Sequence, residues 1–378
     1  MIVEVCRCST RNKGAELMLA AIRQHFQQSN GCVQLAVERW FGSYEERVAY
    51  GLYHKLGETR IGRSALAVWL MPRSFRKAYG LVHEAEIDAV LDASGFAYGD
   101  QHGPGPCEKL AACAKRWKKQ GKKVVLLPQA LGPFTAAYVR TAFRRAYDCV
   151  DLVYARENVS YQHVKQLVGR DDRLRLAPDF TNLVEGHLPP DCECKPRQAC
   201  IVPNSRMIEK TEAQESRRYV PFLAECISEL GQKGIESYIL IHDTASDEPL
   251  VEQLQAAVGR PLPVVREPDP ARLKGILGSA YVVVGSRFHA LVGALSQGVP
   301  SLSTSWSHKY EMLFDDYRCP EMVLPVTASR EKIREAVAGV SDEPSRSAVL
   351  DRLRQASKDQ KKATAGMWQE VDGVLGVG

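Results

Sequence analysis

The sequence predicts an α/β protein of two Rossmann-like, doubly wound parallel-sheet domains. Short apolar runs alternate with helical patterns along almost the whole chain, the order expected of parallel strands joined by crossover helices. That alternation is interrupted at the Pro- and charge-rich stretch 187–196 and then resumes. A chain of 378 residues also exceeds what one hydrophobic core usually organises. The expected division is an N-terminal domain over 1–186, a linker over 187–197, a C-terminal domain over 198–344 and a terminal helix over 345–378, which is long and partly basic.

In the first half the strand candidates are 2–6, 32–37, 89–93, 124–128, 152–155 and 174–177. Each is dominated by apolar residues, as expected of strands buried on both faces. Helical spacing marks 16–26, 108–119 and 136–146 between them. In the second half the strand candidates are 199–202, 237–241, 262–265, 281–284 and 301–303.

Composition narrows the class. Hydrophobic residues make up 45% and charged residues 25%, ordinary for a soluble globular chain. The net charge of +5 is too mild to argue for nucleic acid, but it suits an acidic substrate. No apolar run approaches the length of a membrane-spanning helix. Met1-Ile2-Val3-Glu4-Val5 leads straight into a strand with no signal-peptide pattern, which predicts a cytoplasmic protein. Eleven cysteines in such a compartment read as reduced thiols. Cys6-x-Cys8 and Cys192-x-Cys194 lack the paired spacing of a zinc site, so no metal is expected.

The segment Gly285-Ser286-Arg287-Phe288-His289 directly follows the apolar run Tyr281-Val282-Val283-Val284. Phe288, Leu291, Val292 and Leu295 have helical spacing, and Gly298 supplies a stop. Arg287 and His289 therefore stand where a buried strand ends and a helix begins. Open α/β sheets bind ligands at such ends, and a helix N-terminus favours anions. An arginine and a histidine there point to an anionic substrate and a proton to move. The competing reading is a histidine that only packs or caps the helix.

The stretch GSRFHALVGALSQGVPSLSTSWSHKYEMLFDD resembles the signature of the polysaccharide pyruvyl transferase family, in Arg287, His289, Gly298, Pro300 and Lys309. STRNKGAELML, LDASGFAYGD, VVLLPQALGPF, VYARENVS and LAPDF resemble further family segments in the same order, so the resemblance spans most of the chain from Met1 to Tyr317. Two places depart from the pattern. The usual Gly-Asp is Gly14-Ala15 here, with Glu16 next, and Ala93-Ser94-Gly95 stands where a Gly-Gly pair is common. The resemblance implies two Rossmann-like domains facing a cleft, the GT-B arrangement. It also implies transfer of a pyruvyl group from phosphoenolpyruvate to saccharide hydroxyls as a ketal, in cell-surface polysaccharide biosynthesis. The bond changes require no cofactor.

For that chemistry His289 is the expected general acid and base, because the reaction needs a group titrating near neutrality. Arg287 is expected to clamp a carboxylate or phosphate, and Lys309 to add a point charge. Arg206 and His242 follow other strand candidates of the second half and are candidates to face the donor, with a surface-loop arginine and a hydrogen-bonded histidine as the plainer readings. In the first half Asn12, Gly14, Gly95, Tyr98, Asp100 and Gln129 are the expected acceptor contacts. Tyr98 and Asp100 combine a ring face with a carboxylate, a common way of holding a sugar. For each, the plainer alternative is a structural turn or cap.

Two basic clusters, 115–123 and Arg73, Arg76 and Lys77 beside Trp69, Leu70 and Phe75, suit peripheral contact with an anionic membrane and a lipid-linked acceptor. A solvated helix face is the plainer account of both. A GT-B glycosyltransferase using a nucleotide-sugar, or a non-catalytic binding protein of the same fold, are the alternative functions. The joint presence of Arg287, His289 and Lys309 favours pyruvyl transfer over either.

Overall fold

Parallel strands and helices alternate through the chain in the computed structural model, which describes residues 1–10, 12–28, 33–38, 40–56, 70–190 and 197–377. The predicted linker 187–197 falls largely on 191–196, outside the described residues, as do Trp69, Cys32, Cys192 and Cys194.

The first sheet contains β1 (Ile2–Cys6), β2 (Gln34–Val37), β3 (Tyr53–Leu56), β4 (Leu81–His83), β5 (Ala89–Asp92), β6 (Phe96–Tyr98), β7 (Lys123–Leu131), β8 (Leu152–Ala155) and β9 (Leu174–Leu176). Their order is β4-β3-β2-β1-β5-β7-β8-β9, with β6 beside β7. All of these pairings are parallel. The helices Lys13–Gln28, Gly105–Lys119 and Ala137–Tyr147 stand where the sequence predicts them, each a few residues longer or shifted.

The second sheet holds β10 (Gln198–Val202), β11 (Glu236–Leu240), β12 (Val264–Val265), β13 (Val282–Gly285) and β14 (Ser301–Ser303), in the order β12-β11-β10-β13-β14 and again parallel. Side chains alternate between its faces. Ala199, Ile201, Val282 and Val284 join one core, while Cys200, Val202 and Val283 join another. This sheet is therefore covered on both faces, as unbroken apolar strands require.

Three strands escaped the sequence pattern: β3, β4 and β6. The reason is plain for β3, whose sequence Tyr-His-Lys-Leu is polar. Lys55 is nevertheless buried, because its ammonium donates to the buried carboxylate of Glu4 on β1. A paired charge can occupy a core position that an apolar count does not recognise.

The chain forms two compact units. One comprises Met1–Arg11, Met18–Phe180 and Thr364–Gly378; the other comprises Asn12–Leu17 and Thr181–Ala363. Within the first, the end of the long helix Ser345–Leu375 is anchored by His25, which stacks on Trp368 at 4.1 Å and lies 2.9 Å from Asp372. Glu370 accepts from Tyr154 (2.6 Å) and Arg175 (2.8 Å). No described helix is long and apolar enough to cross a membrane.

Candidate active site

The carboxyl end of β13 lies between those of β10 and β14 in the second unit, with β11 beyond β10. Beyond β13 the chain enters the helix Phe288–Leu295, with Arg287 as its extended N-cap and no side-chain cap hydrogen bond. A helix thus starts at a strand end, where its dipole favours an anion.

Arg287 is buried and has a counterion within the protein. Its Nε donates to Asp247 Oδ2 at 2.8 Å, Nη2 donates to Asp247 Oδ1 and to Ser246 Oγ (2.7 Å), and Nη1 lies 3.6 Å from Asp243. A guanidinium so desolvated needs a carboxylate close by. Burial pushes the Asp247 carboxyl above its ordinary value even with Arg287 beside it. The guanidinium thus holds Asp247 along its Nε–Nη2 edge and faces Asp243 with Nη1.

His289 is half-buried, and Gly14 explains how its ring fits. A Cβ built on Gly14 would lie 2.2 Å from His289 Nδ1, so only glycine admits the ring in this position. Gly14 belongs to the same compact unit as His289, not to the N-terminal one. The close approach that Gly14 permits is, in the structure, to His289. Asn12 Oδ1 accepts from the N–H groups of Gly14 (2.9 Å) and Ala15 (3.3 Å), capping the helix Lys13–Gln28. Lys13 Nζ donates to Glu16 (2.5 Å) and to the carbonyl of Pro268 (2.6 Å), which ties this turn down.

His242 is buried just past β11. Desolvation, followed by the positive charges of Arg287, His289 and Lys13, holds its imidazole well below the usual 6.5. The folded protein therefore keeps His242 neutral where the unfolded chain takes up a proton. Its contribution to stability is complete above pH 6.5 and is lost as the pH falls below that value. Between pH 6.5 and 5.5 the wild type should lose up to about 1.4 kcal/mol more stability than His242→Gln. Denaturant titrations at the two pH values check this, and equal losses would remove His242 as the cause.

Lys309 Nζ sits 4.5 Å from the Trp306 ring, 5.4 Å from Phe288 and 5.5 Å from Tyr310, a cation among three aromatic faces. Trp306 Nε1 donates to Tyr310 Oη (2.9 Å), whose O–H donates to the carbonyl of Ser286 (2.7 Å). Ser286 Oγ lies 2.6 Å from Tyr219 Oη, and its carbonyl also accepts from Asn204 Nδ2. Ser286 is thereby locked from the loop after β10, from the helix Ala213–Gln232 and from the helix Lys309–Asp316. Arg206 is exposed and paired with Glu209 at 2.6 Å, the ordinary arrangement of a surface helix start.

Gly95, Tyr98, Asp100 and Gln129 belong to the first unit. Gly95 adopts φ +68°, a turn requirement. Tyr98 is fully buried, so its ring offers no face to a sugar; its O–H donates to Asp92 at 2.6 Å, while Arg7 lies over the ring. Buried Gln129 donates to Leu127 O at 3.2 Å and reaches Asp92 at 3.4 Å. Asp100 accepts from Thr135 and Ala136, and those hydrogen bonds, the Thr135 hydroxyl first, hold its carboxyl below the usual range. The structure thus gives Tyr98, at the end of β6, and Asp100 separate hydrogen-bond partners, Asp92 for the one and Thr135 with Ala136 for the other. The basic helix Arg73–Ala78 is likewise partly internal, since Arg76 is buried against Glu86 at 2.8 Å.

Sequence reasoning missed Asp247, Tyr219, Asn204 and Asp92. Asp92, the last residue of an apolar strand, was the one legible locally. Asp247 and Tyr219 lie inside helices with nothing nearby to mark them. Glu4, Cys6 and Glu38 bring potential metal-ligand atoms within 4.8 Å of one another. Within this group Lys55 engages Glu4, and burial raises the Cys6 thiol well above its ordinary value.

No curated protein matches the chain in sequence. In fold, Anabaena HepE in complex with UDP-glucose is similar over 100% of this chain and 99% of its own, with a TM-score of 0.62 at 12% identity. A glycosyltransferase from Rickettsia africae is similar over 99% and 98%, with a TM-score of 0.60 at 11% identity. UDP-GlcNAc 2-epimerase from Neisseria meningitidis, bound to UDP-GlcNAc, is similar over 98% and 99%, with a TM-score of 0.58 at 10% identity. At such identities the likeness is one of fold, the GT-B class, and carries no chemistry by itself. The sequence of residues 12–308 matches the polysaccharide pyruvyl transferase family, the stretch that contains Gly14, Arg287 and His289, and the chain is an enzyme belonging to that family.

Proposed function

We propose that this enzyme takes its pyruvyl group from phosphoenolpyruvate and installs it across two hydroxyls of a saccharide as a ketal, in the synthesis of a cell-surface polysaccharide. The observation that carries the proposal is His289 in the first turn of a helix at a strand's carboxyl end, fitted against Gly14 with Arg287 as N-cap.

The His289 imidazolium delivers a proton to the methylene carbon of phosphoenolpyruvate, leaving a cationic centre at the adjacent carbon. A saccharide hydroxyl oxygen bonds to that centre, and its proton returns to the imidazole. The carbon–oxygen bond to phosphate breaks, its electron pair leaving with the phosphate. A second hydroxyl closes the ketal, and its proton leaves with the phosphate. Of the two hydroxyl protons, the first thus balances the proton gained by the new methyl group and the second ends on phosphate. Positive charge for the carboxylate and phosphate comes from Arg287 and from Lys309, with Arg206 at the outer edge. Asn12 holds the Gly14 turn in register, and neutral His242 packs beneath the cations.

Calorimetric titration with phosphoenolpyruvate, with UDP-glucose run in parallel, tests the donor. Saturable binding of phosphoenolpyruvate is expected. Binding of UDP-glucose alone would reassign the enzyme to glycosyl transfer, and silence toward phosphoenolpyruvate would remove it as donor.

A further inference from the structure

The charge of this protein is not spread evenly. Residues 105–170 carry 13 Lys and Arg against 4 Asp and Glu, a net +9. Of the chain's 50 basic and 45 acidic residues, 37 and 41 remain elsewhere, a net −4. One stretch of the first unit therefore sets the sign of the whole molecule.

That stretch contains three helices, Gly105–Lys119, Ala137–Tyr147 and Asn158–Val168. Leu110, Phe143 and Val164, one from each, join the core that also contains Val90, Val124 and Val153 of β5, β7 and β8. The helices thus cover one face of the first sheet and turn their other sides to solvent. Exposed there are Lys109, Lys115 and Lys119 on the first helix, Arg140 and Arg145 on the second and Lys165 on the third. None of the six has a carboxylate partner among the described residues. Asp148 and Asp151 are already paired with Arg144 (3.2 Å) and Lys123 (3.8 Å), and Glu157 is buried. Lys115 and Lys119, like Arg140 and Arg144, stand four apart on a helix, a spacing at which like charges repel. The helix dipole favours cations in a last turn, but Arg140 stands near the start of its helix, where the dipole opposes it. Folding alone gives no reason for such a face, and an anionic partner does. The other basic cluster differs, since Arg73 and Arg76 both meet Glu86, at 3.3 and 2.8 Å.

The form of the face indicates the partner. Its cations are spread over three helices, along about 15 Å of the first alone, rather than gathered round a cleft. Those of the first helix are mostly Lys, point charges without the planar fork that suits a single bound phosphate. Tyr138, 63% exposed and two residues before Arg140, adds an amphipathic ring of the kind enriched at membrane interfaces. We propose that the outer face of these three helices docks on a membrane bearing anionic lipid headgroups. The face lies in the first unit, and Arg287, His289 and Lys309 lie in the second, so docking stands or falls independently of the donor.

The test is cosedimentation of the full-length protein with phosphatidylcholine vesicles, either pure or with about one-third phosphatidylglycerol as the source of negative charge. At about 0.1 M salt the wild type is expected to bind only the anionic vesicles. It should be released at about 1 M, where the screening length falls from about 10 to about 3 Å. Lys115→Gln, Lys119→Gln, Arg140→Gln and Arg145→Gln together are expected to weaken binding about a hundredfold or more, at about fivefold per cation removed from the surface. The melting temperature of this variant should not fall, because repulsion is relieved. Should it fail to fold, Arg140→Gln with Arg145→Gln is expected to weaken binding about 25-fold. Arg217→Gln, Lys332→Gln, Lys358→Gln and Lys362→Gln remove the same charge from exposed positions of the second unit, and should leave binding near the wild-type level. Failure of the wild type to bind anionic vesicles would overturn the docking face, as would equal binding to neutral ones. Undiminished binding by the first fourfold variant would overturn it too, and so would an equal loss in both, which would reduce the effect to net charge. Duplex DNA bound where anionic vesicles are not would overturn it in favour of a nucleic-acid face.

Discussion

Replacing His289 with glutamine is expected to lower pyruvyl transfer by about 10²–10⁴-fold, the usual worth of a positioned general acid. Phosphoenolpyruvate binding should change little, because the proposed positive charge comes from Arg287 and Lys309 and the amide is close in volume to imidazole. A second substitution reaches the same atom from outside it. Gly14→Ala would place a methyl group 2.2 Å from the present position of Nδ1, so the ring has to turn away. The fold should tolerate this, since the obstacle is a side chain that can rotate and alanine favours a helix by about 1 kcal/mol over glycine. Gly14→Ala is therefore expected to lose most of its turnover while its melting temperature moves little. Steady-state kinetics beside thermal melts check both. Near-wild-type turnover in His289→Gln would take the proton away from His289. A Gly14→Ala enzyme that loses stability and activity together would show that the contact matters for folding rather than for the placement of the ring.

The largest expected effect on stability is that of Asp247→Asn, up to about 3–5 kcal/mol, the range for removing one partner of a buried ion pair, with Asp243 left 3.6 Å from Nη1 as the remaining counterion. Asp247 is completely buried and accepts from both Nε and Nη2 of Arg287 as well as from the Ser205 N–H. Asparagine keeps the shape but has no charge to balance the guanidinium. The raised carboxyl of Asp247 marks a pair whose desolvation is already costly. The double replacement Asp247→Leu with Arg287→Met should accordingly be more stable than Asp247→Asn, though it removes a cation from the site. Equilibrium denaturation of the three proteins measures the difference. A single variant as stable as the wild type would mean that water reaches the pair and shares the charge.

Strands that are apolar throughout, such as β8 and β13, were legible residue by residue, and so was the helix start after β13. Those signals are local: a buried parallel strand excludes polar residues along its length, and a helix advertises its apolar spacing. β3 was not legible, because Lys55 occupies its core position and finds its counterion on β1, two strands away. Arg287 and His289 were legible as residues of a strand-to-helix junction. The bidentate hold of Asp247 on Arg287 was not, since an arginine aimed at a ligand and one aimed at a carboxylate look alike in sequence. Tyr98 and Asp100 looked like one sugar-holding pair because they are close in the chain. Packing turned the ring inward to Asp92 and the carboxylate toward Thr135.

The sequence by itself determined the α/β class, the two parallel sheets, the family and the junction that carries Arg287 and His289, because periodicity and motif spacing are written over a few neighbouring residues. The tertiary structure alone decided which charges neutralise one another and that the turn at Gly14 belongs beside His289. Counterions, desolvation and close approach depend on segments that meet only after the sheets have formed, and no local pattern records that meeting.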